Sequence, residues 1–186
     1  MLIASFDVSM TATGCVLVDY DLKTNKFDLL DAKVLTTKKN ETSEKVSSTL
    51  DSVRRAAQVG AAVAEFVRDP QPTLITVEGM SWPRNASSAI KMALVWGAIS
   101  EILVRYPLIE VGPQDIKLAC SGIRSATKEE VASGVRQYAR HPLACQEVLQ
   151  SYVPKKALHE HCWDAMGAVI AASKTQKFSL LTAVAR

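Results

Sequence analysis

At 186 residues, with 48% hydrophobic and 22% charged side chains, the chain is sized for a single domain over 1–186 with a full core. A net charge of +3 with ordinary apolar content excludes a disordered chain, and no run approaches the roughly 18 apolar residues of a membrane span. The opening MLIASFDVSM lacks the basic region and cleavage site of a signal peptide, so a soluble cytoplasmic protein is expected. Cys15, Cys120, Cys145 and Cys162 form no CxxC pair, which predicts buried thiols and neither a zinc site nor a disulfide framework.

The first third reads as strands. Leu2–Asp7 is an apolar run, Gly14–Asp19 (GCVLVD) follows a short polar turn, and Phe27–Thr37 follows the polar loop DLKTN. Such short connections predict antiparallel hairpins. From Asn40 to Arg68 the period changes: Val46, Leu50, Val53, Ala57, Gly60, Ala61, Ala64 and Val67 recur at three- and four-residue spacing, predicting an amphipathic helix of about seven turns. DPQPT stops it. LITVEG (Leu74–Gly79), without polar alternation, reads as a buried parallel strand.

A second helix is predicted from about Ala86 to Arg105, with Ala89, Met92, Ala93, Trp96 and Ile99 as its apolar stripe. PLIEVGP supplies a fifth strand. Helical segments follow at Pro113–Ser121, Thr127–Tyr138 and about Lys156–Thr175. The order predicts an α/β fold: a mixed five-stranded sheet, three antiparallel strands and then parallel ones, with helices on both faces.

Within this plan Asp7 sits inside an otherwise apolar strand between Phe6 and Val8, Glu78 closes a buried one, and His161 and Asp164 fall beside or within the stripe Ala165, Ala168, Val169 and Ala172 of the last helix. A helix cap or a solvent-facing strand end accounts for any one of these; it does not account for all four. Inward carboxylates repel unless a cation compensates them, and hard oxygen donors with few histidines suit Mg²⁺ or Mn²⁺. Two ions held by acids from separate elements suit in-line phosphodiester displacement, with His161 either a ligand or the group that positions the water. Glu160 falls about 100° round the helix from His161 and ranks below it.

ASFDVSMTATG, VEGMSWPRNASSAIKMALVWGAI, VGPQDIKLACSGIRSATKEEV and HEHCWDAMGAVIAA, in this order and spacing, resemble the RuvC family of Holliday junction resolvases over nearly the whole chain. The resemblance implies a ribonuclease-H-like fold, a homodimer, Mg²⁺-dependent paired nicking of four-way DNA junctions, and room for branch-migration machinery as a partner. It makes Asp7, Glu78 and Asp164 acidic metal ligands and sets His161 at a fourth position where members carry Asp or His. Lys117 and Lys128 match basic positions facing DNA. The family's aromatic wedge falls at Ser81, with Trp82 next to it, so either residue can stand at that place.

From Gly112 onward ten basic residues face six acidic ones, a bias a solvated helical surface also carries. Arg84, Lys91, Lys117, Arg124 and Lys128 are candidate phosphate contacts, and Trp82 is a candidate stacking or wedging residue, or else packs on the sheet end. Lys128 opens a helix, where backbone N–H groups also attract phosphate. Met92 and Trp96 are candidates for a dimer contact. Two rivals are a non-catalytic DNA-binding module on the same fold, which would not need every acid, and an actin-like ATPase domain, which needs glycine-rich phosphate loops absent from SMTATG.

Overall fold

The computed structural model describes residues 1–39, 47–80 and 85–184. Its sheet is built around β1 (Leu2–Asp7), which pairs antiparallel with β2 (Ala12–Asp21) on one side and parallel with β4 (Leu74–Glu78) on the other. β3 (Lys26–Thr36) extends the antiparallel edge and β5 (Leu108–Val111) the parallel one, giving the order β3-β2-β1-β4-β5. This is the mixed sheet that the connection lengths predict. β2 gains two residues at each end over its predicted span. A bulge at Leu17/Val18 lets β3 absorb one extra residue.

Strand parity divides the core in two. Ala4, Phe6, Ile75 and Val77 point into a cluster with α1 (Ser48–Arg68) and α2 (Ala86–Leu103). Ile3 and Leu74 point into the opposite cluster. There α6 (His159–Ser173) lies on the sheet, surrounded by α3 (Pro113–Ser121), α4 (Lys128–Tyr138), α5 (Pro142–Tyr152) and α7 (Gln176–Val184). Every residue of α6 from Cys162 to Ala172 is buried, so it is a core helix without a solvent face. All four cysteines are buried and free.

Several readings need correction. α1 keeps only part of its predicted stripe: Gly60 and Val67 are buried as expected, but Ala56, Val59, Val63 and Phe66 make up the rest of the buried apolar face, while Leu50 is 63% and Val53 46% exposed. The helix carries two apolar faces, and the sheet takes the one with the larger side chains. On α2, likewise, Val95, Ile99 and Leu103 are buried, Met92 and Trp96 only half so, and Ala93 is exposed. α2 is also long and apolar enough, by length and composition, to cross a membrane, contrary to the expectation that no segment is; here it packs beside α1 with only Val95, Ile99 and Leu103 buried. α5 and α7 were not predicted. α5 starts at Pro142, a favoured first helical position, but buries only Cys145 and Leu149, too few to show a period. The last predicted helix divides into a 3₁₀ turn at Lys156–Leu158 and α6. The predicted stretch 40–46 lies outside the described residues.

What seats α6 is a close approach to β2. A Cβ on Gly14 would stand 2.2 Å from the backbone oxygen of His161, so only glycine lets the helix come this near. One layer below, Thr76 Oγ1 donates to Ser5 Oγ (2.7 Å), which donates to the carbonyl of Ala165 (2.6 Å), a buried chain from β4 through β1 to α6. Gly14→Ala should therefore cost at least about 2 kcal/mol in denaturant unfolding, and Thr76→Val about 1 kcal/mol through one lost buried hydrogen bond. A Gly14→Ala protein as stable as wild type would refute this account of how α6 is seated.

Candidate active site

Asp7 and Glu78 are the last residues of β1 and β4, one step beyond the Phe6–Val77 register pair. They therefore stand side by side on neighbouring parallel strands, about 5 Å apart along the backbone. By parity both share the face of Ser5 and Thr76, whose hydroxyl chain leads to α6. His161 and Asp164, three residues apart on α6, share one helical face. His161 Nδ1 meets Asp7 Oδ2 at 2.8 Å, the two side chains being 23% and 17% exposed. On the other flank Lys128, first residue of α4, pairs its Nζ with Asp164 Oδ2. Thr127 and Glu130 close a reciprocal capping box that fixes where α4 begins and hence where Lys128 sits.

The electrostatics are those of crowded, partly desolvated acids. Burial, and then the charges of Asp7 and Asp164, push Glu78 up to about 7. Burial also raises Asp164, against the hydrogen bond and charge of Lys128. Burial works to lower Lys128, but Asp164, with Asp7 and Glu78 behind it, holds the ammonium above its ordinary value. The hydrogen bond that Asp7 accepts from Nδ1 raises His161, against burial. Lys128 and His161 thus neutralise part of the cluster and leave a deficit of positive charge at Glu78.

That deficit, and a donor set of three carboxylates with one imidazole, suits a divalent cation bound through oxygen. Among the described residues no three such side chains are already closed round one point. The four groups stand within electrostatic reach of one another, and the carboxylates of Asp7 and Asp164 are held by His161 and Lys128 in contacts that a cation would compete with.

The sequence reading places Asp7, Glu78, His161 and Asp164 together, and the structure brings them together. Lys128 joins them as an ion-pair partner of Asp164, a closer role than the DNA-facing position implied for it. Lys117, on α3, is half-buried with no side-chain partner among the described residues. Arg124 is exposed near Asp115 (3.9 Å) and Gln114 (3.4 Å). Lys91 lies on α2, on the opposite side of the sheet. Glu160 is 48% exposed and 4.0 Å from His161 Nε2, at the rim, while His159 is buried with Nε2 on the Val153 carbonyl (2.7 Å), a packing role. Ser81, Trp82 and Arg84 lie outside the described residues. Sequence reasoning missed Gly14, Ser5 and Thr76; a Ser and a Thr at matching register in two otherwise apolar strands are the signal that was there.

The shifts set a pH dependence for the metal-free protein. Glu78 and Asp164 hold protons more tightly folded than unfolded, so their stabilising contribution is lost as pH rises, for Glu78 between about 4.5 and about 7. His161 acts in the same sense: its contribution is full below about 6.5 and lost as pH rises through its raised value. In EDTA the Tm should fall between pH 5.5 and 8, and Glu78→Gln should flatten the slope. A wild-type Tm that rises over this range would contradict the assignment.

Comparison with known proteins agrees with the geometry. The family model for "Crossover junction endodeoxyribonuclease RuvC" matches residues 3–147. The chain is similar to the crossover junction endodeoxyribonuclease RuvC of Chlorobium chlorochromatii (strain CaD3), 38% identical over 72 residues, 38% of this chain and 35% of that protein. It is similar to that of Shewanella sp. (strain ANA-3), 25% identical over 126 residues, 67% of this chain and 73% of that one. Its fold is that of Thermus thermophilus RuvC solved in complex with Holliday junction substrate, with a TM-score of 0.72 at 23% identity over 96% of each chain. A five-stranded mixed sheet carrying acids at the ends of β1 and β4 and on α6, with a family match over most of its length, places this chain in the RuvC crossover junction endodeoxyribonuclease family.

Proposed function

We propose that this protein is a metal-dependent, structure-specific endonuclease that resolves four-way DNA junctions by paired symmetric nicks, acting as a homodimer in the cytoplasm. The observation that carries the reading is the convergence of Asp7, Glu78, His161 and Asp164, from three separate elements, at one edge of the sheet. These four would hold divalent ions, Mg²⁺ with Mn²⁺ as a substitute, two per site. Such ions supply Lewis-acid stabilisation of the phosphoryl charge and a nucleophile at neutral pH.

The chain's own groups do the rest. Asp7 fixes the His161 ring through Nδ1, which aims Nε2 away from the strand and toward the rim, where the neutral imidazole either ligates an ion or orients a water and takes its proton. Lys128, 55% exposed, can exchange Asp164 for a substrate phosphate without leaving the first turn of α4. Lys117 and Arg124, with Lys91 on the far side of the edge, and Trp82 and Arg84, which follow Glu78 in the sequence, are assigned to DNA.

The homodimer rests on α1 and α2. Leu50, Val53 and Ile90 are exposed, and Val53, Ala57, Ile90, Ala93 and Gly97 line an apolar groove of about 510 Å³ between the helices. A second copy covering this face would remove it from water and give two active sites to match a two-fold junction. Ala93→Arg should then convert the dimer to a folded monomer by light scattering. A variant still dimeric would move the interface elsewhere.

The catalytic reading is tested on a labelled four-way junction. Wild type should cut with Mg²⁺ or Mn²⁺ and not with EDTA. Asp7→Asn, Glu78→Gln and Asp164→Asn should each lose at least about a hundredfold in cleavage, non-additively, while binding the junction as well as or better than wild type. His161→Asp should retain more activity than His161→Ala. Cleavage that survives EDTA, or equal loss of binding and cleavage in all three acid variants, would overturn the reading.

A further inference from the structure

A second polar cavity opens on the α1–α2 side of the sheet, about 660 Å³ in volume, between the end of β3 and the first turns of both helices. Its cations are Lys39, Arg55 and Lys91, and its hydroxyls include Ser48, Thr49 and Ser87. Arg55 is 4% exposed, and among the described residues its hydrogen bonds go to neutral oxygens: Nε to Thr37 Oγ1 (2.7 Å), Nη2 to the carbonyls of Met10 and Thr37 (3.4 Å each). None of the ion pairs among the described residues involves Arg55. Asp51 also lines the cavity, with its carboxylate 2.7 Å from Arg54. Among the described lining residues three cations, Lys39, Arg55 and Lys91, thus share the cleft with one carboxylate, Asp51.

The backbone adds to this field. α1 and α2 run side by side from the same sheet edge, so their positive dipole ends lie together at the cleft. Ser47 and Asn85 cap one N–H each, to Leu50 and Ser88, and α2 has no acidic residue in its first turn. Like ends of two parallel helices repel unless an anion lies between them.

We propose that this cleft seats a backbone phosphate of the bound DNA, held between Lys39 and Lys91 with Arg55 beneath, as an anchor separate from the catalytic cluster. The inference rests on the nuclease reading above. Position supports it: Arg55 and Thr37 both bond the Met10 carbonyl, three residues along the chain from Asp7, so the cleft adjoins the turn that leaves the active site. It also borders the apolar groove assigned to the second copy, sharing Ile90 and Leu94 with it. A strand crossing from one protomer to the other passes there.

The test is junction and duplex binding in EDTA across a salt series, with the Lys39→Ala/Lys91→Ala double variant and, separately, Ser87→Asp. The double variant should bind about three- to tenfold more weakly near ~0.1 M salt, with the log–log salt slope reduced by about one. Ser87→Asp puts a carboxylate in the first turn of α2, which favours the helix, so its Tm should hold or rise while DNA binding weakens. A structural role for the cleft predicts the reverse of that pairing. Neutral methylphosphonate linkages introduced singly into one strand should weaken wild-type binding at one position outside the scissile linkage, and that position should become silent in the double variant.

Unchanged affinity and salt slope in both variants would overturn the inference, as would equal sensitivity at every linkage. So would a Tm increase by inorganic phosphate that depends on Lys39 and Lys91 with DNA binding unaffected, since the cleft would then serve a free anion. Wild-type protein that neither binds nor cuts junctions would instead overturn the parent reading.

Discussion

The contact on which the site depends is the approach of α6 to β2 at Gly14. A helix normally keeps about 10 Å from a sheet because side chains fill the gap. Here the backbone carbonyl of His161 lies where a Cβ of residue 14 would be, and β2 Gly14 is the register partner of Asp7. The first turn of α6 is thereby brought down onto the end of β1, which is what allows His161 to reach Asp7 with a short hydrogen bond instead of through water. Ser5 and Thr76 fix the same helix one turn further on. Three small residues thus convert a general helix-on-sheet layer into a defined spacing between two strand-end acids and two helix-borne groups.

How much of this was legible follows from which forces act locally. The sheet order was legible, because hairpin lengths and the absence of polar alternation in LITVE are properties of short segments. The juxtaposition of Asp7, Glu78, His161 and Asp164 was legible too, because a charged side chain in a buried element conflicts with its surroundings whatever the tertiary detail. The facing of α1 was not: Leu50–Val53–Ala57 and Ala56–Val59–Val63 are both acceptable apolar stripes, and only the shape of the sheet under them decides which is buried. α5 was illegible for a related reason, burying two residues and exposing Leu143 at 81%. Lys128 shows the limit of reading by resemblance: a basic position at a helix start was recognisable, while its contact with Asp164 depends on how α4 packs against α6.

A nuclease has to place acids against a polyanion, and the arrangement shows how the conflict is contained. The carboxylates are concentrated in one spot, with Lys128 and His161 as partial internal counter-charges. Glu78, pushed up to about 7, is the point where compensation runs short. The remaining cations stand off the centre, Lys117 and Arg124 on the α3–α4 side and Lys39, Arg55 and Lys91 on the α1–α2 side. On the proposed reading, strand phosphates on either side of the scissile one are held without neutralising the acids assigned to metal.

Topology supplies a further, less visible share of that positive field. β1, β3, β4 and β5 all run in one direction, since β3 is antiparallel to β2 and β2 to β1. α1 follows β3, α2 follows β4 and α3 follows β5, so each of these helices begins at the edge where Asp7 and Glu78 sit. The first residues of α4 and α6 are there as well, as the Lys128–Asp164 and His161–Asp7 contacts require. Five helix N-termini, each with the partial positive charge of its unpaired N–H groups, therefore converge on the acidic edge. No lysine or arginine is needed for this contribution, and no surface substitution removes it. A mild net charge of +3 is then no obstacle to DNA binding, because the field that matters is set by the direction of the strands.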